Sequence, residues 1–274
     1  MRAILYTILA FSIIGCSNYQ KVIKKGTREQ KLEAAKKYYN KKDYLRAQPL
    51  FEELLGLYYG QNEREEIYFY YAYSHYGVGE YLLAGYHFRN FTQTYALSPK
   101  REEAAYMTAV CEYQKSMPYE LDQTPTKSSI NSLQAFINQY PNSSYVADCN
   151  TKIDDLRARI LLKVYNSAKL YYDLGHYKSA IVSCTNALDD YPDMINREEL
   201  SFLIAESSFL YAKNSIKKMQ EERYQNTMTA IATYHSEFKN SGDYSKEIEK
   251  LKEKTTKGLA AARDINTTIN STQK

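Results

Sequence analysis

Tryptophan is absent from this chain of 274 residues, and glycine occurs only ten times and proline six. With few helix breakers, and with Lys, Glu, Ala and Leu abundant, the composition points to helix and away from a strand-and-turn architecture. Histidine is scarce as well: His75, His87, His176 and His235 each stand apart from the others. The chain has no His-Glu-x-x-His, no phosphate-binding loop, no nucleophile elbow and no dinucleotide fingerprint. No catalytic residue, cofactor or metal site is therefore assigned, and the four histidines and the acidic pairs are given structural roles. A run of about 20 apolar residues, as a membrane-spanning helix needs, is also missing. The longest run, residues 3–14, is interrupted by Thr7 and Ser12.

That short run has another meaning. Arg2 precedes it, Gly15 closes it and Cys16 follows. A charged start, a short apolar core, a small residue and then cysteine is the layout of a bacterial lipoprotein signal peptide. Residues 1–15 are expected to be the signal, Cys16 the lipid-accepting thiol, and residues 16–27 a lipidated tether. Without Cys16, three cysteines are left: Cys111, Cys149 and Cys184. They are widely spaced, odd in number and inside helical patterns, so they read as small buried apolar residues.

The net charge of +4 is modest but unevenly spread. Between residues 21 and 42 nine basic residues stand against Glu29 and Glu33, and the remainder of the chain is acidic. A basic stretch beside a lipid anchor suits anionic head groups, although a solvated helix face has the same composition. An acidic remainder argues against nucleic acid as a partner.

What the chain has in plenty is tyrosine, 29 residues against nine phenylalanines, and tyrosine suits half-buried helix interfaces and receptive grooves. Its placement reveals a repeat. Tyr44-x-x-Ala47-x-x-x-Phe51-x-x-Leu54 returns as Tyr81-x-x-Ala84-x-x-x-Phe88-x-x-Phe91 and as Tyr177-x-x-Ala180-x-x-x-Cys184-x-x-Ala187. Weaker copies run through Ser129, Leu133 and Phe136 and through Thr227, Ile231 and Tyr234. Each core is the second helix of a hairpin; the first carries a small residue at its crossing, namely Ala35, Ala72, Ala109, Ala168 and Ala205. These positions and their spacing resemble the tetratricopeptide repeat. The expected fold is an all-α solenoid of five hairpins with a C-terminal capping helix. Repeats one to three would fill residues 28–145, repeats four and five with the cap residues 146–264, and a disordered tail residues 265–274. Extra residues are expected in repeat three around Met117-Pro118 and Thr124-Pro125, and in repeat five near Lys213 to Glu222. The first helix of repeat four should begin early and run long.

In such repeats the first helices line the inner face. The register brings Tyr39, Phe69, Tyr73, Tyr76, Tyr106 and Tyr113 to that face, beside Leu32, Lys36, Asn40, Glu66, Gly77, Glu103, Val110 and Gln114. Six aromatics together would grip an extended peptide, unless the rings are packing between repeats.

Three local stretches add to the repeats. They are Tyr140-Pro141-Asn142-Ser143-Ser144-Tyr145, Ile153-Asp154-Asp155-Leu156-Arg157 and Ala168-x-x-Tyr171-Tyr172-x-x-Gly175-x-Tyr177-x-x-Ala180. With the lipoprotein signal they resemble the BamD (YfiO) family of outer-membrane β-barrel assembly lipoproteins over nearly the whole chain beyond residue 15. The resemblance implies a non-catalytic subunit, lipid-anchored on the periplasmic face of the outer membrane. Repeats one to three would receive unfolded outer-membrane proteins, and repeats four and five would dock the periplasmic domains of the barrel-forming subunit. The alternative is a tetratricopeptide scaffold lipoprotein of another envelope machine, pilotin-like or linked to cell division.

Overall fold

The computed structural model describes residues 19–239 and 242–272, with side chains to residue 267. Among these residues every regular element is a helix. A short helix α1 (residues 19–25) is followed by α2 (Arg28–Asn40), α3 (Tyr44–Leu57), α4 (Glu63–Gly77), α5 (Tyr81–Thr94), α6 (Arg101–Gln114) and α7 (Thr124–Gln139). Then come α8 (Val146–Asp173), α9 (Tyr177–Asp190), α10 (Arg197–Lys213), α11 (Lys217–Phe238) and α12 (Ser245–Thr272). The chain divides into two compact units, residues 1–157 and 158–274, with the division inside α8.

Helix starts and stops follow local chemistry. Thr27 opens α2 with a reciprocal cap: its hydroxyl accepts from the Gln30 amide, and the Gln30 side chain accepts from the Thr27 amide at 3.0 Å, which satisfies donors that a helix start leaves open. The turns between paired helices need one residue in the left-handed region. Gly79 and Gly175 supply it at φ 85° and 74°, where glycine carries no Cβ penalty.

The small-residue crossings hold throughout. Ala35, Ala72, Ala109, Ala168 and Ala205 are all buried, as are Ala47, Ala84, Ser129, Ala180 and Thr227 on the second helices. In unit 1, Phe51 and Leu54 fill the first hairpin, Phe88 and Phe91 the second, and Leu133 and Phe136 the third, where Cys149 and Leu156 of α8 complete the cluster. In unit 2, Ala168, Cys184 and Leu200 form one cluster, and Ile248 and Leu251 of α12 close over Ala205, Ile231 and Tyr234. Cys111, Cys149 and Cys184 are free thiols in three separate clusters; burial pushes the Cys111 and Cys184 thiols up to about 12 and Cys149 to about 11.

Several expected boundaries shift. Of the extra residues of repeat three, Met117-Pro118 lie in the link between α6 and α7 while Thr124-Pro125 open α7, and those of repeat five do not form a loop. From Lys217 onward they extend α11, and Glu221 accepts hydrogen bonds from Arg263 and Asn266 of α12 at 3.3 and 3.0 Å. Helix α12 also continues past residue 264, so the stretch expected to be a disordered tail is helix as far as Thr272. The tether is not loose from residue 19: Tyr19, Val22 and Ile23 pack α1 onto the first hairpin. The signal peptide, Cys16 and residues 17 and 18 lie outside the described residues, as do residues 240–241 and 273–274. No helix among those described is long and apolar enough to cross a membrane.

Candidate binding faces of the two units

The first helices of unit 1 are joined by a ladder whose partners stand 30 residues apart in each rung. The Lys36 ammonium meets Glu66 at 2.7 Å, and the Tyr73 hydroxyl donates to Glu103 at 2.5 Å. In unit 2 the Lys169 ammonium meets Glu199 at 3.4 Å. Lys36, Tyr73 and Lys169 occupy one repeat position, and Glu66, Glu103 and Glu199 occupy another, each pair bridging two successive first helices. Lys36 holds the Glu66 carboxyl below its usual range. Burial, then the bond to Glu103, pushes the Tyr73 hydroxyl far up, so it stays a donor.

A second ladder uses the last turns. Tyr39, Tyr76, Tyr113 and Tyr172 share a repeat position. The Tyr76 hydroxyl accepts from Gln114 at 3.3 Å, Tyr113 donates to Asp155 at 2.9 Å, and Tyr172 donates to Glu206 at 2.8 Å. Three of these rings also meet, across the turn, the tyrosine that opens the next helix: Tyr39 with Tyr44 at 5.5 Å, Tyr76 with Tyr81 at 5.3 Å and Tyr172 with Tyr177 at 6.3 Å. Such tilted and edge-on pairs add to simple burial.

The six expected peptide-binding aromatics therefore separate. Phe69 is 5% exposed, packed against Phe88 and Phe91, and is a core side chain. Tyr73 is half-buried, with its ring against Phe69 and Phe88 and its hydroxyl spent on Glu103. Tyr106 stacks on Tyr145 at 4.1 Å and donates to Asp148 at 2.6 Å. Asp148 pays for its partial burial, but bonds from Lys152 and Tyr106 hold its carboxyl below the usual range. Tyr39 lies against Tyr70 and Phe51. Tyr76 and Tyr113 are half-buried in the last turns. Gly77 is the seat of Tyr44: a Cβ there would come within 2.2 Å of that ring. Val110 is buried as well.

The register missed a cleft in unit 2. Ile181 and Val182 of α9, Ile204 of α10 and Ala230 of α11 line a cavity of about 450 Å³, within the size range of ligand pockets. Lys178 and Arg223 are its charged residues, and no carboxylate lines it. The Arg223 guanidinium lies 4.0 Å over the Tyr211 ring and donates to Ser215. The basic and apolar residues of α9 and α11 were visible in the sequence, but only packing brings them together.

Among the described residues no cluster of His, Cys, Asp and Glu fits a metal ion. Paired helices with small-residue crossings, and polar groups spent on one another, define a helical-repeat protein of the tetratricopeptide class. The family described as YfiO, outer membrane lipoprotein, matches residues 24–225. The chain belongs to that family. It is similar to the outer membrane protein assembly factor BamD of Caulobacter vibrioides, with 23% identity over 147 residues, 54% of this chain and 48% of the relative. The chain thus spans about half the length of that curated relative. Among solved structures, the P58(IPK) TPR domain aligns over 91% of this chain and 68% of its own, with 13% identity and a TM-score of 0.39.

Proposed function

We propose that this chain is a non-catalytic lipoprotein subunit of the outer-membrane β-barrel assembly machinery, anchored through Cys16 on the periplasmic face. The observation that carries this reading is the family match, which runs through both units. Unit 1 receives unfolded outer-membrane proteins. Tyr39, Tyr76, Tyr106 and Tyr113 offer ring faces there, on helices whose spacing the two ladders fix. Prearranged half-buried aromatics suit the aromatic C-terminal strand of a barrel protein, because little side-chain freedom is lost on contact.

Repeats four and five dock the periplasmic domains of the barrel-forming subunit. The apolar cleft of unit 2 supports this role, because its cations face no carboxylate and complement an acidic residue on an apolar partner surface. The extra turns of α11 are held partly against α12, so the cleft is the better docking surface.

Photo-crosslinking tests the substrate role. A photoreactive side chain in place of Tyr76 or Tyr113 is expected to capture a peptide of a barrel C-terminal strand, while the same group at Thr185, exposed on α9, is not. Equal capture at all three positions, or none, would contradict the assignment.

A further inference from the structure

The end of unit 1 nearest the start of the described chain gathers features that the assembly role does not use. Helix α1 runs back along α2: Gly26 and Thr27 lead into the start of α2, whereas Tyr19 lies edge-on to Tyr38 at 5.4 Å, near the end of α2. The Tyr19 hydroxyl also donates to the Arg46 carbonyl at 3.3 Å. Tyr19, the first described residue, therefore lies at the α2–α3 turn. At that turn stand Lys37, Lys41 and Lys42, with Lys21 close to the beginning of α1.

All four lysines are exposed and have no carboxylate partner among the described residues. The acidic groups at this edge are already engaged, Asp43 with Arg46 at 3.0 Å and Glu80 with His75 at 2.6 Å. Lys42 also holds the left-handed turn position at φ 58°. Glycine fills the same place in the α4–α5 and α8–α9 turns, so here a lysine is kept at some conformational cost.

Beside the cations the edge is apolar. Leu45 is 74% exposed and Leu82 71%, with Leu83 next to it. Leu45 and Lys42 share a shallow pocket with Gly77 and Val78, so the α2–α3 and α4–α5 turns adjoin. Lysines with no carboxylate partner among the described residues, flanked by protruding leucines at one turn edge, are complementary to one kind of surface. We propose that this turn edge of the first two hairpins rests on an anionic membrane, the lysines on lipid head groups and Leu45 and Leu82 in the interface. The contact would orient unit 1 on the bilayer and is independent of the assembly role.

Vesicle sedimentation tests this. The chain from residue 16 on, with Cys16→Ser, keeps every described residue and carries no lipid. It is expected to pellet with phosphatidylglycerol–phosphatidylcholine vesicles and to stay in solution with phosphatidylcholine alone. The combined variant Lys37→Glu, Lys41→Glu, Lys42→Glu should bind about tenfold or more weakly, and Leu45→Ser with Leu82→Ser several-fold more weakly, both with unchanged helical circular dichroism. A control that reverses Lys246, Lys250 and Lys254 on α12 should bind as the parent does. No binding to anionic vesicles, or equal loss in the α12 control, would overturn the proposal; parent-like binding by the lysine variant would do the same. Loss in the lysine variant with none in the leucine variant would remove the apolar half of the contact.

Discussion

The Tyr73 hydroxyl donates to Glu103 at 2.5 Å, from one first helix to the next. Its counterpart in the preceding pair is a salt bridge, Lys36 with Glu66. One repeat position thus performs one task with two chemistries, and the inter-repeat spacing of unit 1 depends on it. Tyr73→Phe keeps the ring and removes the bond, so it should cost about 1–2 kcal/mol. Chemical denaturation measures the loss. If peptide capture by unit 1 survives this change, the hydroxyl is structural and any binding contribution is the ring's.

Phe69 gives the opposite expectation. Its ring is buried among Phe88, Phe91 and Tyr73, so Phe69→Ala should lower stability by about 3–5 kcal/mol. Binding measured at a temperature where the variant is folded should be close to that of the parent. A selective loss of binding with unchanged stability would return Phe69 to the groove.

Gly77→Ala places a methyl group where the Tyr44 ring sits. Displacing a packed ring should cost about 1–3 kcal/mol, while Gly56→Ala, where a Cβ meets nothing within 4 Å, should be neutral or slightly stabilising. Thermal melts of the two variants separate them; similar melting temperatures would show that Tyr44 moves freely.

His87 makes unit 1 sensitive to acid. Burial, and then the stacked His75 ring 4.9 Å away, lower its pKa to about 4 from the ordinary 6.5. Tyr68, Tyr71 and Tyr86 surround the same ring. The folded state favours the neutral ring, so this contribution is complete above pH 6.5, is lost as pH falls from 6.5 toward 4, and changes no further below that. His87→Gln should flatten the melting temperature over this window. An unchanged pH profile would show that the ring is not buried neutral.

The helical repeat was readable because apolar periodicity and the small crossing residues are local signals. Ala35, Ala72 and Ala109 announce helix crossings within a few residues of sequence, and all are buried. The common repeat position of Tyr39, Tyr76 and Tyr113 was readable too, since each stands four residues after its crossing alanine. What the hydroxyls of Tyr73 and Tyr106 do was not, because Glu103 and Asp148 lie 30 and 42 residues away. The equal spacing of Glu66 and Glu103 from Lys36 and Tyr73 is the trace that these bonds leave in the sequence. The cleft of unit 2 left no such trace, since Ile181, Ile204 and Ala230 meet only through the packing of three helices. The extension of α11 was hidden for a related reason: extra residues within a repeat read as a loop until α12 is seen to hold them.

The most direct test of the central claim is capture of the tagged chain from detergent-solubilised outer membrane, followed by mass spectrometry of what comes with it. The account predicts the barrel-forming subunit of the assembly machinery as the main partner, reduced by Arg223→Glu in the unit 2 cleft. A division or secretin component as the main partner, with the barrel-forming subunit absent, would contradict it.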